Sequence, residues 1–184
     1  MNAGFPVRMK AFLFDYLLIL AYMLILAIFS VFLFPPIQQL FTGAPGLAQL
    51  SGFLLITVPV SLYFTLADSR IGGGSYGKRI TSIRVRDLNG RPLSFLHSAA
   101  RTALKFMPWE LSHFLVYRLM WLGDDPVPVS YMVIGGLIYA LIGAYIAAPF
   151  LTKKKQSVYD LAARTQVIRP ETAAIKQKPG SLTA

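Results

Sequence analysis

The chain has 184 residues, of which 55% are hydrophobic and 14% charged, with a net charge of +10 and no cysteine. A soluble domain carries about 25% charged residues, so a single soluble core leaves apolar surface over, and hydrocarbon is the place for the excess. Thiol and disulfide chemistry are excluded. The cations lie between and beyond the apolar segments, with no nucleic-acid reader motif, which speaks for anionic lipid headgroups as partners and against nucleic acid.

The first apolar stretch, Ala11 to Phe34, is longer than the ~7–15 residues of a signal-peptide core. It contains Asp15, and no small-residue cleavage site follows it. A permanent span over about 10–34 is expected, stopped by Pro35-Pro36. After a loop without charge, a second span is expected over about 49–67, kinked by Pro59. Residues 68–105 hold Arg70, Lys78, Arg79, Arg84, Arg86, Arg91, Arg101 and Lys105. That places them in the cytoplasm. Ile80, Ile83 and Val85 followed by Asn89-Gly90 predict a short β-hairpin here, and residues 94–105 then begin a helix at the interface.

The stretch 106–122 is apolar and aromatic but holds Glu110, His113 and Arg118. A clear span over about 130–151 precedes Lys153-Lys154-Lys155, which demand a cytoplasmic C-terminus. An even number of crossings must separate that end from the basic segment before Phe106. Residues 106–122 are therefore either the other crossing or a re-entrant helix, with Gly123-Asp124-Asp125-Pro126 as the outer turn. Four spans are favoured. Residues 157–165 predict a short helix or turn, and the polar residues 170–184 a flexible tail. The fold class expected is an all-α polytopic membrane protein. Residues 1–169 are expected to form one transmembrane domain, with both termini on the cytoplasmic side of the membrane.

Arg8 and Asp15 are seven residues apart, so at about 100° per residue they share one helix face with Tyr22. Asp15 lies roughly 10 Å deeper than Arg8, too far for a direct contact within the helix. A buried acid needs a partner from elsewhere, water or a proton. Two roles are open: a proton or cation site, or a hub that locks the bundle. Thr57, Ser61, Thr65 and Asp68 share a face of the second span, as a polar path or as hydroxyls satisfied by backbone and neighbours. Glu110 and His113 form an E-x-x-H pair. Metal ligation would need further carboxylates, so titration or packing near the interface is preferred, with Arg118 or Lys105 as groups that could neutralise Glu110. Gly136, Ala140, Ala144 and Ala148 predict a close-packing face, within the bundle or between copies. Gly77-Lys78 lacks the spacing and the following hydroxyl of a phosphate loop. No catalytic constellation, metal or cofactor is expected, and the chain is not read as an enzyme.

Four motifs in order resemble the RDD family of bacterial membrane proteins, named for one arginine and two aspartates. Arg8 and Asp15 in VRMKAFLFDYLLIL match the first two, and Asp160 in KKKQSVYDLAARTQV the third. Between them, SYGKRITSIRVRDLNGRPLSFLHSAARTALK resembles the family's T-x-G-K segment, its β-like stretch and the arginine of the next helix, here Arg101. Ser75 stands where threonine is usual, and Arg164 where glycine is common before Thr165, which would bring bulk and charge to a tight turn. The resemblance implies Arg8, Asp15 and Asp160 as signature and ion or proton site, and its segments take in Lys78 and Arg101; the residue spacing adds Tyr22, Ser61, Thr65, Asp68, Glu110 and His113 as supporting polar residues. It implies a small proton-coupled transporter, cation–proton antiport having been proposed for some members, or a scaffold in which the three residues tie the C-terminal tail to the first helix. A homo-oligomer or a membrane partner protein is expected in either case. Arg8 to Asp160 is the pairing expected, with Lys10 and Arg101 as other neutralising groups.

Overall fold

The computed structural model describes residues 2–170; residues 171–184 of the expected tail lie outside them. The chain is mostly helical, with three helices long and apolar enough to cross a membrane among the described residues: Phe5–Leu33, Pro45–Asp68 and Val129–Leu151. The first comprises α1 (Phe5–Ile28) and a wider-wound turn, Phe29–Leu33. The short α2 (Pro36–Thr42) occupies the expected loop. The second comprises α3 (Pro45–Gly52), a wide turn at Phe53–Thr57 and α4 (Val58–Asp68). After α5 (Tyr76–Ile80) and β1 (Arg84–Asp87) comes α6 (Phe95–Leu122), one helix through both the interfacial and the ambiguous stretch. Ser94 caps it by accepting from the His97 N–H. The chain ends with α7 (Val129–Leu151), α8 (Val158–Ala162) and β2 (Thr165–Ile168).

Prolines sit inside all three long helical runs other than α1: Pro59, Pro108 and Pro149. A proline has no N–H for the carbonyl four residues earlier. Those carbonyls belong to Leu55, Leu104 and Tyr145, and each accepts a hydroxyl instead. Tyr22 donates to Leu55 O at 2.6 Å, Tyr145 to Leu104 O at 2.6 Å, and Ser157 to Tyr145 O at 3.0 Å. In hydrocarbon an unsatisfied carbonyl costs several kcal/mol, so these hydroxyls keep the helices continuous and bind neighbours together.

The expected β-hairpin does not form. Asn89-Gly90 does turn the chain, with Gly90 at φ +80° and the Asn89 and Arg91 N–H groups donating to the Asp87 carboxylate. Beyond the turn Pro92 has no donor for a ladder, and Leu93 instead bridges Ser69. The free edge of β1 is taken by β2, antiparallel, from Arg84 opposite Ile168 to Asp87 opposite Thr165. Asn2 bridges Ile168 as well. The N-terminus, the segment after α4 and the segment after α7 therefore meet at one end of the molecule. Ala3, Ala11, Ile83, Val85, Leu93 and Val167 make its small apolar core.

Much of the small-residue face of α7 is open among the described residues. Gly136, Ala140 and Ala144 are exposed, a Cβ at Gly136 would meet nothing within 4 Å, and Ala148 at the end of the row is half-buried. Over Gly136 to Ala144 the face therefore has no within-bundle role among the described residues. The α6 contact uses the adjacent strip, where Ile138 is buried and a Gly135 Cβ would touch Leu115.

Candidate functional site

The meeting of the three segments is charged and buried. Asp160 occupies the third position of α8, where Ser157 and Asp160 form a reciprocal capping box. That local motif fixes its direction. Its Oδ2 accepts from Arg8 Nη1 at 2.7 Å, and its Oδ1 accepts from Arg101 Nε and Nη2 at 2.9 and 2.7 Å. Burial alone would raise the Asp160 pKa, but the charges of Arg101 and Arg8 outweigh it and hold the carboxyl below its ordinary range. Arg101 also donates from Nη1 to Asp68 Oδ2 at 3.1 Å, so one guanidinium bridges two carboxylates. Lys78 Nζ lies 2.7 Å from both oxygens of Asp68. Lys10 is exposed and takes no part.

Asp15 is buried nearby but belongs to another set. Its oxygens accept from the Ser75 hydroxyl at 2.6 Å, the Gly77 N–H at 2.8 Å and the Tyr63 hydroxyl at 3.1 Å. No cation bonds it among the described residues. It holds the start of α5 against α1, where the approach is so close that a Cβ on Gly77 would lie 1.8 Å from the Ala11 carbonyl oxygen. Arg8 and Asp160 are therefore brought together, while Asp15 stands apart from both. Ser75 and Gly77 lie in the SYGK segment, which marked them as a motif without revealing that Asp15 was its anchor point. Tyr63 carried no such signal.

Lys105, one helical turn beyond Arg101, makes no ion pair among the described residues; its Nζ lies 3.7 Å from the centre of the Phe64 ring. Arg8, Asp15, Lys78, Arg101 and Lys105 line a cavity of about 70 Å³.

The remaining candidates lie elsewhere. Tyr22 serves the Leu55 carbonyl, away from Asp15. Thr57, Ser61, Thr65 and Glu110 line a groove of about 640 Å³ between the second span and α6. Thr57 donates to Glu110 and accepts from Trp109 Nε1 at 3.3 Å. His113 Nδ1 lies 3.7 Å from Glu110 Oε1. Neither Arg118 nor Lys105 neutralises Glu110. Arg118 instead donates to Gln49 Oε1 at 2.8 Å, because α6 runs antiparallel to the second span and brings Gln49 to its level. Ser98 donates to the Thr65 carbonyl at 2.8 Å. Among the described residues no three His, Asp or Glu side chains are grouped to hold a metal.

Compared with known protein families, residues 2–164 match the model of the RDD family. No curated protein and no solved structure matches the chain.

Proposed function

From the premise that the chain belongs to the RDD family, we propose that it is a non-transporting module of the bacterial cytoplasmic membrane, in which Arg8, Asp15 and Asp160 fasten the segments of one face to the first span. One observation carries this reading: both oxygens of Asp15 are engaged by Ser75, Gly77 and Tyr63. A carboxylate so occupied is an anchor, and an exchanging proton or cation would have to displace its donors. The assembled face would then hold a partner protein or a second copy, with no chemistry of its own.

Four crossings and cytoplasmic termini belong to the same proposal. The N-terminal, β1 and β2 segments share one end, so an even number of crossings separates β1 from β2. With α7 as one, α6 supplies the other. Its 28 residues reach about 42 Å, enough for the charged end and for a hydrocarbon layer of about 30 Å. The cations gathered at the shared end support a cytoplasmic placement for it.

A second reading rests on Glu110, an acid within the apolar part of α6 that faces the 640 Å³ groove with Thr57 beside it. Proton-coupled transport would then run through Glu110 and not Asp15. Proteoliposomes separate the readings, with cation and small-solute flux measured for wild type, Asp15→Asn and Glu110→Gln. The module reading expects no flux from any of them. Flux abolished by Asp15→Asn at unchanged thermal stability would sink it, and flux abolished only by Glu110→Gln would establish the second reading.

A further inference from the structure

The charged end carries more positive than negative charge in its interior. Arg8, Lys78, Arg101 and Lys105 face three carboxylates, Asp15, Asp68 and Asp160. Asp68 and Asp160 are shared among Arg8, Lys78 and Arg101. Asp15, the carboxylate on the cavity wall, is engaged by neutral donors. Among the described residues Lys105 makes no ion pair, and its Nζ lies over the Phe64 and Phe106 rings. Arg8 donates through Nε to the Ala3 carbonyl and through Nη1 to Asp160, but among the described residues its buried Nη2 has no acceptor. A buried guanidinium N–H with no acceptor is costly, and a half-buried ammonium without an anion also gains by taking one.

Both groups border the same space. The 70 Å³ cavity is several times the roughly 10–15 Å³ that holds one water on this measure, so it admits a group the size of a phosphate. It does not end there. Arg8, Phe12, Lys105 and Tyr159 line both this cavity and a second, open groove of about 470 Å³. The walls of that groove are apolar, with Met9 on α1, Phe106 on α6, and Ile142 and Ile146 on α7. The two spaces thus adjoin at these four residues, a cationic head beside an apolar trough between three helices.

We infer that this site binds an anionic glycerophospholipid, its phosphodiester at Lys105 and Arg8 and an acyl chain in the trough between α1, α6 and α7. The single excess positive charge matches one phosphodiester. A zwitterionic headgroup would bring a further cation into a region that already has one too many. The inference is independent of whether the protein transports.

Lys105 is the residue to test, because Arg8 also holds Asp160. Purified, delipidated protein would be titrated with phosphatidylglycerol, phosphatidylcholine or inorganic phosphate, following lipid retention by native mass spectrometry and the thermal midpoint. One phosphatidylglycerol per chain is expected, retained about tenfold more strongly than phosphatidylcholine, a preference that Lys105→Gln abolishes. Ile146→Trp fills the trough without touching a charge and should weaken retention of both lipids. It carries the test if Lys105→Gln fails to fold. Equal retention of the two lipids by wild type, or retention unaffected by both variants, would overturn the proposal. Stabilisation by millimolar inorganic phosphate equal to that by phosphatidylglycerol would mark a free-anion site and overturn the lipid assignment.

Discussion

At the basic end of the molecule Asp15, Asp68, Asp160, Lys78 and Arg101 are buried, and each is bonded to an opposite charge or a set of neutral donors. A few turns along the same α1, Leu17, Leu24 and Ile25 lie exposed, and the most apolar stretch of that helix has no residue buried within the chain. Away from that end, spaced polar contacts such as Thr57 with Glu110 and Arg118 with Gln49 join the helices. In lipid, apolar helices gain no hydrophobic free energy by touching one another. Helix positions must then be set where polar groups can be satisfied only by each other. Here that place is one end, so the charged end specifies the arrangement and the spans follow from it.

The strongest way to break this comparison is Arg101→Met. It leaves Asp68 and Asp160 buried with one cation each, and loss of one member of a buried ion network typically costs roughly 3–5 kcal/mol. Unfolding in detergent should show a loss of that size. A loss below about 1 kcal/mol, the scale of an exposed pair, would mean that the spans hold themselves. A matched pair of glycines comes next. Gly77→Ala places a Cβ on the Ala11 carbonyl, lifts α5 from α1 and strips a donor from Asp15, for roughly 1–3 kcal/mol. Gly136→Ala, on the open face of α7, should stay within about 0.5 kcal/mol. Equal effects would erase the distinction between the regions.

Acid probes the same end. Against the opposing effect of burial, Arg101 and Arg8 hold the folded-state pKa of Asp160 below its unfolded value. The unfolded chain therefore takes the proton first. The Asp160 contribution is fully present above about pH 4, the unfolded carboxylate value, and is lost as pH falls through the lower folded-state pKa. The thermal midpoint should fall in acid. The acid limb should be shallower in Asp160→Asn, whose midpoint is already lower.

The sequence made the spans and the face shared by Arg8 and Asp15 legible, because both depend on helical periodicity. It also showed that the two do not touch, but not which segment would claim each. Seven residues along a helix is one face but roughly 10 Å of depth, and each side chain is claimed by whatever non-helical segment docks at its level. Arg8 meets α8, and Asp15 meets α5. Periodicity carries no information about which short segment docks where. The hairpin failed for a related reason, since four residues of β2 some eighty positions away took the edge that Pro92 could not. That proline was the readable sign. Nor could the sequence decide whether α6 is continuous at Pro108. The answer rests on Tyr145, a residue of another helix.

The turn between α8 and β2 gives the smallest and most local test. Arg164 sits there at φ +50°, in the left-handed region that disfavours a side chain by roughly 1–2 kcal/mol. The tight turn forms in spite of the arginine, whose side chain is exposed while Asp160 is buried. The neighbours over-determine this conformation: Arg164 N–H donates to Leu161 O, Thr165 is buried and bonded to Asp160, and β2 is pinned to β1 and Asn2. Strain that is imposed by a rigid surrounding is relieved by glycine. Arg164→Gly should stabilise the protein by roughly 0.5–1 kcal/mol, the strain relieved less the backbone freedom glycine adds to the unfolded chain. The gain should appear as a rise in the thermal midpoint. If the basic end is the rigid part of the molecule, the substitution stabilises. If Arg164→Gly is neutral or destabilising, the turn was free to relax, and the end that was taken to specify the fold is softer than its hydrogen bonds suggest.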